Sequence, residues 1–177
     1  MKRIYIINGS GSVGKDTFMS MLNKYCNVFS YTYVDRVKRY ARECGWNGGK
    51  TEKDRNFLAD FADLLDSYND MLMCDAVKSV MKFYNSTPIS EYEVMFICVR
   101  KPEDIDRLKR MFDAKTILVV RDSVEHITSN DADASVFDYT YDKIIYNNGT
   151  LNDLENTVRK FLSDEKILEE KNNEETT

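Results

Sequence analysis

Histidine is almost absent. One residue, His126, among 177 removes every metal site that needs two or three imidazoles, and leaves a Ser-His-Asp triad only if His126 is its base. The four cysteines, Cys26, Cys44, Cys74 and Cys98, stand far apart with no Cys-x-x-Cys pair, which argues against a zinc ribbon or a dithiol redox centre. Cys98 lies inside an apolar run and reads as a small core residue. Two prolines and seven glycines leave no room for a low-complexity linker. No apolar run approaches the eighteen or so residues of a membrane span, and the first one stops at Asn8, too short for the core of a secretory signal. Free thiols without an export signal give the expectation of a cytoplasmic protein with no membrane partner. Positive charge is also in deficit, 25 Lys+Arg against 30 Asp+Glu for a net charge of −5, which disfavours a whole surface shaped for duplex nucleic acid.

Alternation dominates what is present. Lys2–Ile7, Val28–Tyr33, Glu93–Val99, Thr116–Val120 and Lys143–Tyr146 are short β-branched or apolar runs that read as strands, the third apolar enough to be covered on both faces. Between them lie helical patterns over Asp16–Cys26, Arg36–Cys44, a long segment opened by the capping box Thr51-Glu52-Lys53-Asp54, Asp70–Tyr84, and Glu103–Phe112 with Pro102 at its first turn. The long segment carries Phe57, Leu58, Phe61, Leu64, Leu65 and Tyr68 as one expected apolar stripe. A last helix runs from the capping box Thr150-Leu151-Asn152-Asp153 to about Leu162. Strands separated by helices mean βαβ units, a mainly parallel sheet, and ligands held just beyond the carboxyl ends of the strands.

The residues just beyond the first strand are Gly9-Ser10-Gly11-Ser12-Val13-Gly14-Lys15-Asp16-Thr17. They fit the phosphate-binding (Walker A) pattern G-x-x-x-x-G-K in its required context, after a strand and before a helix. Glycines let successive backbone N–H groups converge on one anion, the helix N-terminus adds its dipole, and Lys15 supplies a mobile charge for the outer phosphates. The usual hydroxyl after the lysine is displaced by one place: Asp16 stands there and Thr17 follows.

With Gly14-Lys15-Asp16-Thr17 the chain resembles the nucleoside and deoxynucleoside monophosphate kinases and related small P-loop kinases. The resemblance implies a three-layer P-loop sandwich with a five-stranded sheet in the order 2-3-1-4-5, ATP as phosphoryl donor bound by Gly9, Gly11, Ser12, Val13, Gly14, Lys15, Asp16 and Thr17, and Mg²⁺ ligated by Thr17. Asp16 has two open readings, a first-turn acid favoured by the helix dipole or a magnesium contact through water. In that family the helical segment after strand two, here 34–92, holds the acceptor. Arg55 and Arg100 match its phosphate-binding arginines, with Asp35, Arg36 and Lys38 as further candidates. Lys15, Arg100 and Arg121 are the expected catalytic set, and 121–138, which includes His126, corresponds to a lid. Asn148 and Gly149 correspond to the adenine-side loop, although a turn before a capped helix accounts for them equally. Related kinases often carry Asp-Val-Arg where this chain has Cys98-Val99-Arg100. Asp35 is the carboxylate positioned to substitute, and it has a second reading as a helix N-cap. The kinase-like domain is expected to span 1–164, followed by an acidic, disordered tail, 165–177.

Three readings of function follow. The first is ATP-dependent phosphoryl transfer to a nucleoside or deoxynucleoside monophosphate, the second a kinase of another small phosphorylated metabolite of the dephospho-coenzyme A type, and the third a regulatory nucleotide-binding module with little turnover. A nucleic-acid face built of Arg36, Lys38, Arg39 and Arg42 is disfavoured, because those residues spread around a helix. The oligomeric state is not legible in the sequence.

Overall fold

A computed structural model describes residues 1–88, 93–125 and 134–167. Five strands, β1 (Lys2–Asn8), β2 (Asn27–Thr32), β3 (Glu93–Cys98), β4 (Lys115–Val120) and β5 (Lys143–Tyr146), form one sheet in the order β2-β3-β1-β4-β5 with every pairing parallel. The helices are α1 (Lys15–Leu22), α2 (Tyr33–Glu43), α3 (Glu52–Asn69), α4 (Met71–Asn85), α5 (Pro102–Phe112) and α6 (Leu151–Asp164).

The alternating side chains of the strands divide the interior in two. Tyr5, Ile7, Val94, Phe96, Ile117 and Val119 pack against Phe18 and Leu22 of α1 and Leu154, Val158 and Phe161 of α6. Ile4, Ile6, Met95 and Ile97 pack against α2, α4 and α5. The result is three layers, helix on sheet on helix, as a two-faced parallel sheet demands. The Tyr5, Phe18, Phe96 and Phe161 rings meet at centroid distances of 5.3–6.3 Å, within the range where aromatic pairs add to plain burial. Both expected capping boxes form, Thr51 with Asp54 and Thr150 with Asp153.

Three expectations need correction. Asp35 is not an N-cap: α2 starts at Tyr33, Thr32 holds the cap position, and Asp35 sits exposed in the first turn. The apolar stripe of α3 is split. Leu58, Phe61 and Leu65 lean on the core, whereas Phe57, Leu64 (65% exposed) and Tyr68 (89%) face outward, because α3 packs chiefly on α2 and α4. The folded chain also runs past 164, since Glu165 and Ile167 are buried; the rest of the expected tail, 168–177, lies outside the described residues. So does the middle of the lid-like segment, 126–133, including His126. Among the described residues no helix is long and apolar enough to cross a membrane.

Candidate active site

The parallel register brings one end of every strand to the same edge. Ile7 pairs with Cys98, Cys98 with Thr32, Asn8 with Leu118 and Val120 with Tyr146. β1 and β3 are neighbours, yet the helix after β1 packs on one face of the sheet and the helix after β3 on the other. That divergence opens a crevice between the loop after Asn8 and the segment at Arg100, the switch point at which open α/β sheets bind ligands.

The loop 9–14 is shaped by backbone that only certain residues adopt. Gly9 has φ +140°, and a side chain there would collide with the Val119 carbonyl; Gly14 has φ +98°, and a side chain there would strike the Asn147 amide. Ser12, at φ +67°, is a non-glycine in the left-handed region, a conformation that functional loops retain at some cost in strain. Gly14 occupies the N-cap position of α1, so Lys15, Asp16 and Thr17 form its first turn, with Asp16 and Thr17 exposed. Lys15 Nζ donates to the carbonyls of Gly9 (2.6 Å) and Ser10 (2.8 Å). The lysine is thereby folded across the mouth of its own loop.

Three cations share this crevice. Burial, and then the charge of Arg100, push the Lys15 ammonium down to about 8, with Cys98 and Asp16 acting in the opposite direction. Arg100 is likewise lowered, first by burial and then by Arg55. Arg55 is anchored through its guanidinium to the Lys50 carbonyl at 2.9 Å. Like charges brought together at a partly desolvated edge make an electrostatic cost that a bound anion relieves. Cys98, at the end of β3, is half-buried and hydrogen-bonded by the Thr32 side chain; burial raises its thiol, which therefore stays protonated at neutral pH. Asp16 and Asp35 both lie within electrostatic reach of that thiol.

The other expected site residues have the following partners. Arg36 is ion-paired with Asp75 of α4 and bonded to the Tyr40 hydroxyl at 3.0–3.2 Å, so it joins α2 to α4. Lys38 is half-exposed on α2. Arg121 donates to the Ser123 hydroxyl at 3.2 Å. Asn148 bonds Asp122 through both ends of its amide, at 2.7 and 2.8 Å, and Gly149 lies against Asp153.

Sequence reasoning missed the residues that hold the loop. Asn8, 1% exposed, accepts from the Gly9 N–H (2.8 Å) and donates to the Tyr141 hydroxyl (2.7 Å) and the Arg100 carbonyl (3.4 Å). Tyr141 in turn donates to the Val136 carbonyl. Asn147, also buried, donates to the Val13 carbonyl at 2.8 Å while its own N–H bonds the Val120 carbonyl. The available signal was that a polar residue ends β1 and another follows β5, each directly after the apolar residues of its strand.

Comparison by sequence finds no matching family model and no matching curated protein. By structure the chain is similar to TT1252 from Thermus thermophilus, at 15% identity, 92% of this chain, 97% of the other and a TM-score of 0.51. It is also similar to shikimate kinase from Aquifex aeolicus vf5, at 12% identity, 94% and 99% coverage and a TM-score of 0.50. With its parallel 2-3-1-4-5 sheet, the chain has the fold of the small P-loop kinases.

Proposed function

We propose that the protein transfers the γ-phosphoryl group of ATP to a small acceptor that already carries a phosphate, a nucleoside or deoxynucleoside monophosphate in the first instance. The observation that carries this reading is the row of neighbouring cations Lys15, Arg100 and Arg55 at the switch point, with Lys15 folded onto the Gly9 and Ser10 carbonyls of the loop. Lys15 and the loop N–H groups suit the donor, and the two guanidinium groups suit the acceptor phosphate, because planar forks match phosphate oxygens in pairs. Between those anchors an acceptor oxygen forms its bond to the γ-phosphorus as the bond from that phosphorus to the ADP oxygen breaks. Catalysis is then chiefly positioning and charge stabilisation. The oxygen-bearing pair Thr17 and Asp16, exposed side by side on the first turn of α1, fits a hard cation. Thr17 would hold Mg²⁺ directly and Asp16 through water, and the ion would neutralise phosphate charge.

The neutral Cys98 thiol supports a phosphate acceptor over a hydroxyl acceptor. A phosphate oxygen is already ionised near pH 7, its second pKa being about 6, so it needs no base at the end of β3. A hydroxyl acceptor of the dephospho-coenzyme A type does, and Asp35 is the carboxylate exposed nearby. Asp35→Asn separates the two: less than a tenfold fall in kcat for a phosphate acceptor, and roughly 10²–10⁴-fold for a hydroxyl acceptor. ADP release across a panel of ribo- and deoxynucleoside monophosphates tests the reading as a whole. Release without dependence on any acceptor, or no release, would leave the regulatory module. Lys15→Ala is expected to abolish stabilisation by Mg²⁺-ATP in a thermal melt; undiminished stabilisation would refute the role of the loop.

A further inference from the structure

The G-x-x-x-x-G-K pattern leaves the residue after the first glycine unspecified, since backbone N–H groups serve the phosphates whatever side chain stands there. In this chain it is Ser10. Its side chain is enclosed (4% exposed), and among the described residues its Oγ has no hydrogen-bond partner. An enclosed hydroxyl without a partner is uncommon in a folded protein and carries a desolvation penalty. The serine backbone, by contrast, is tied to the site. Its carbonyl accepts from Lys15 Nζ at 2.8 Å. Two residues earlier, Asn8 reaches the Arg100 carbonyl at 3.4 Å. Ser10 therefore stands on the stretch of loop that links the donor-side cation to the acceptor-side cation.

We propose that Ser10 Oγ is a hydrogen-bond donor to the terminal phosphoryl group of the nucleotide held in the loop. This rests on the phosphate-loop reading above and adds a side-chain ligand that the motif does not specify. Lys15 lies across the Gly9 and Ser10 carbonyls. A bound triphosphate competes for that ammonium, uncovers the wall of the loop, and offers the enclosed hydroxyl an anionic oxygen. The missing partner is thus supplied by the ligand, and the penalty in the free state is returned on binding. Because the contact is to the transferred group, it discriminates a triphosphate from a diphosphate.

Ser10→Ala removes only the oxygen, from a residue whose backbone lies outside the left-handed region. Thermal melts and titrations with Mg²⁺ plus a non-hydrolysable ATP analogue, or Mg²⁺ plus ADP, give the readout. The free variant is expected to melt at or above the wild-type temperature, since it loses an unpaired polar atom and no bond. Its affinity for the analogue should fall roughly tenfold, the scale of one hydrogen bond to a charged oxygen, while its affinity for ADP stays within about twofold. Ser10→Cys, similar in volume but a weak donor, should fall between. A lower melting temperature of the free variant would give the oxygen a structural role and overturn the proposal. Equal losses for the analogue and ADP would overturn it as well, as would no loss for either. Wild-type protein that binds neither nucleotide would overturn both readings. Wild-type binding that Lys15→Ala abolishes, together with an unaffected Ser10→Ala, would defeat the serine alone.

Discussion

Lys15 carries the sharpest residue-scale consequence. Its ammonium, ordinarily near 10.5, is pushed down to about 8 by burial and by Arg100. Between those two pH values the unfolded chain binds more protons than the folded one, so this group makes the fold more stable as pH rises from about 8 towards 10.5. Nucleotide binding runs the other way, since phosphates favour the protonated lysine. Affinity for Mg²⁺-ATP should therefore hold below pH 8 and decline by up to tenfold per unit above it. At pH 8 binding should take up about half a proton per site, measured by titration calorimetry in two buffers of different ionisation enthalpy. Equal heats in the two buffers would contradict this. The loop, its lysine and the two arginines were legible because each is a local pattern beside a strand end. Asn147 was not: it is 134 residues from the Val13 carbonyl that it holds, and no local spacing encodes that contact. The burial of Ser10 belongs to the same category.

At the scale of elements, periodicity located the five strands and the six helices named above; it missed the 3₁₀ turn Ser135–Phe137 in the lid-like segment, and it failed where neighbours decide the outcome. The α3 pattern is amphipathic, but it packs chiefly on α2 and α4, so half the stripe stays exposed. Arg36, expected beside the acceptor from its place after β2, is ion-paired with Asp75 of α4, a contact no local spacing encodes. The junction of α5 with the acceptor segment holds a further surprise. Asp104, in the first turn of α5, is 5% exposed and raised to about 6 by burial and then by Asp66, against the opposing charge of Lys101. A carboxyl raised on folding contributes stability that is complete below its ordinary value of 3.8 and lost as pH climbs through 6. Asp104→Asn should therefore raise the stability at pH 7–8 by something on the order of 1–3 kcal/mol. The gain should shrink to nothing by about pH 4 in paired denaturation curves. A loss at pH 7 would mean that the contact with Arg107, at 3.9 Å, outweighs the burial.

Across the whole molecule the two edges of the sheet divide the work. Lys15, Arg100 and Arg55 gather at the carboxyl ends of the strands, and a second group of cations gathers on one carboxylate at the opposite edge. There Glu165, 7% exposed, draws Arg3, Lys115 (2.7 Å), Lys143 (3.5 Å) and the Tyr5 hydroxyl (3.1 Å) onto one carboxylate. The group ties β1, β4 and β5 to the end of α6 and lies beside a cavity of about 390 Å³. This division lets an acidic chain present a basic crevice, because net charge counts the whole surface and a phosphate samples only one edge. Burial alone would raise Glu165, but the bonds from Lys115 and Tyr5 and the surrounding cations hold it below its ordinary 4.5. Its stabilisation is accordingly present above pH 4.5 and lost as pH falls through the folded value. Glu165→Ala leaves several cations around a vacated carboxylate site and should cost about 3 kcal/mol or more at pH 7. That cost should diminish in acid, while the affinity for Mg²⁺-ATP at the far edge stays within about twofold of wild type. A variant as destabilised at pH 3 as at pH 7 would assign the cost to packing instead of charge. One that lost nucleotide affinity while still folded would show that the two edges are coupled through β1, which runs from Arg3 at one edge to Asn8 at the other.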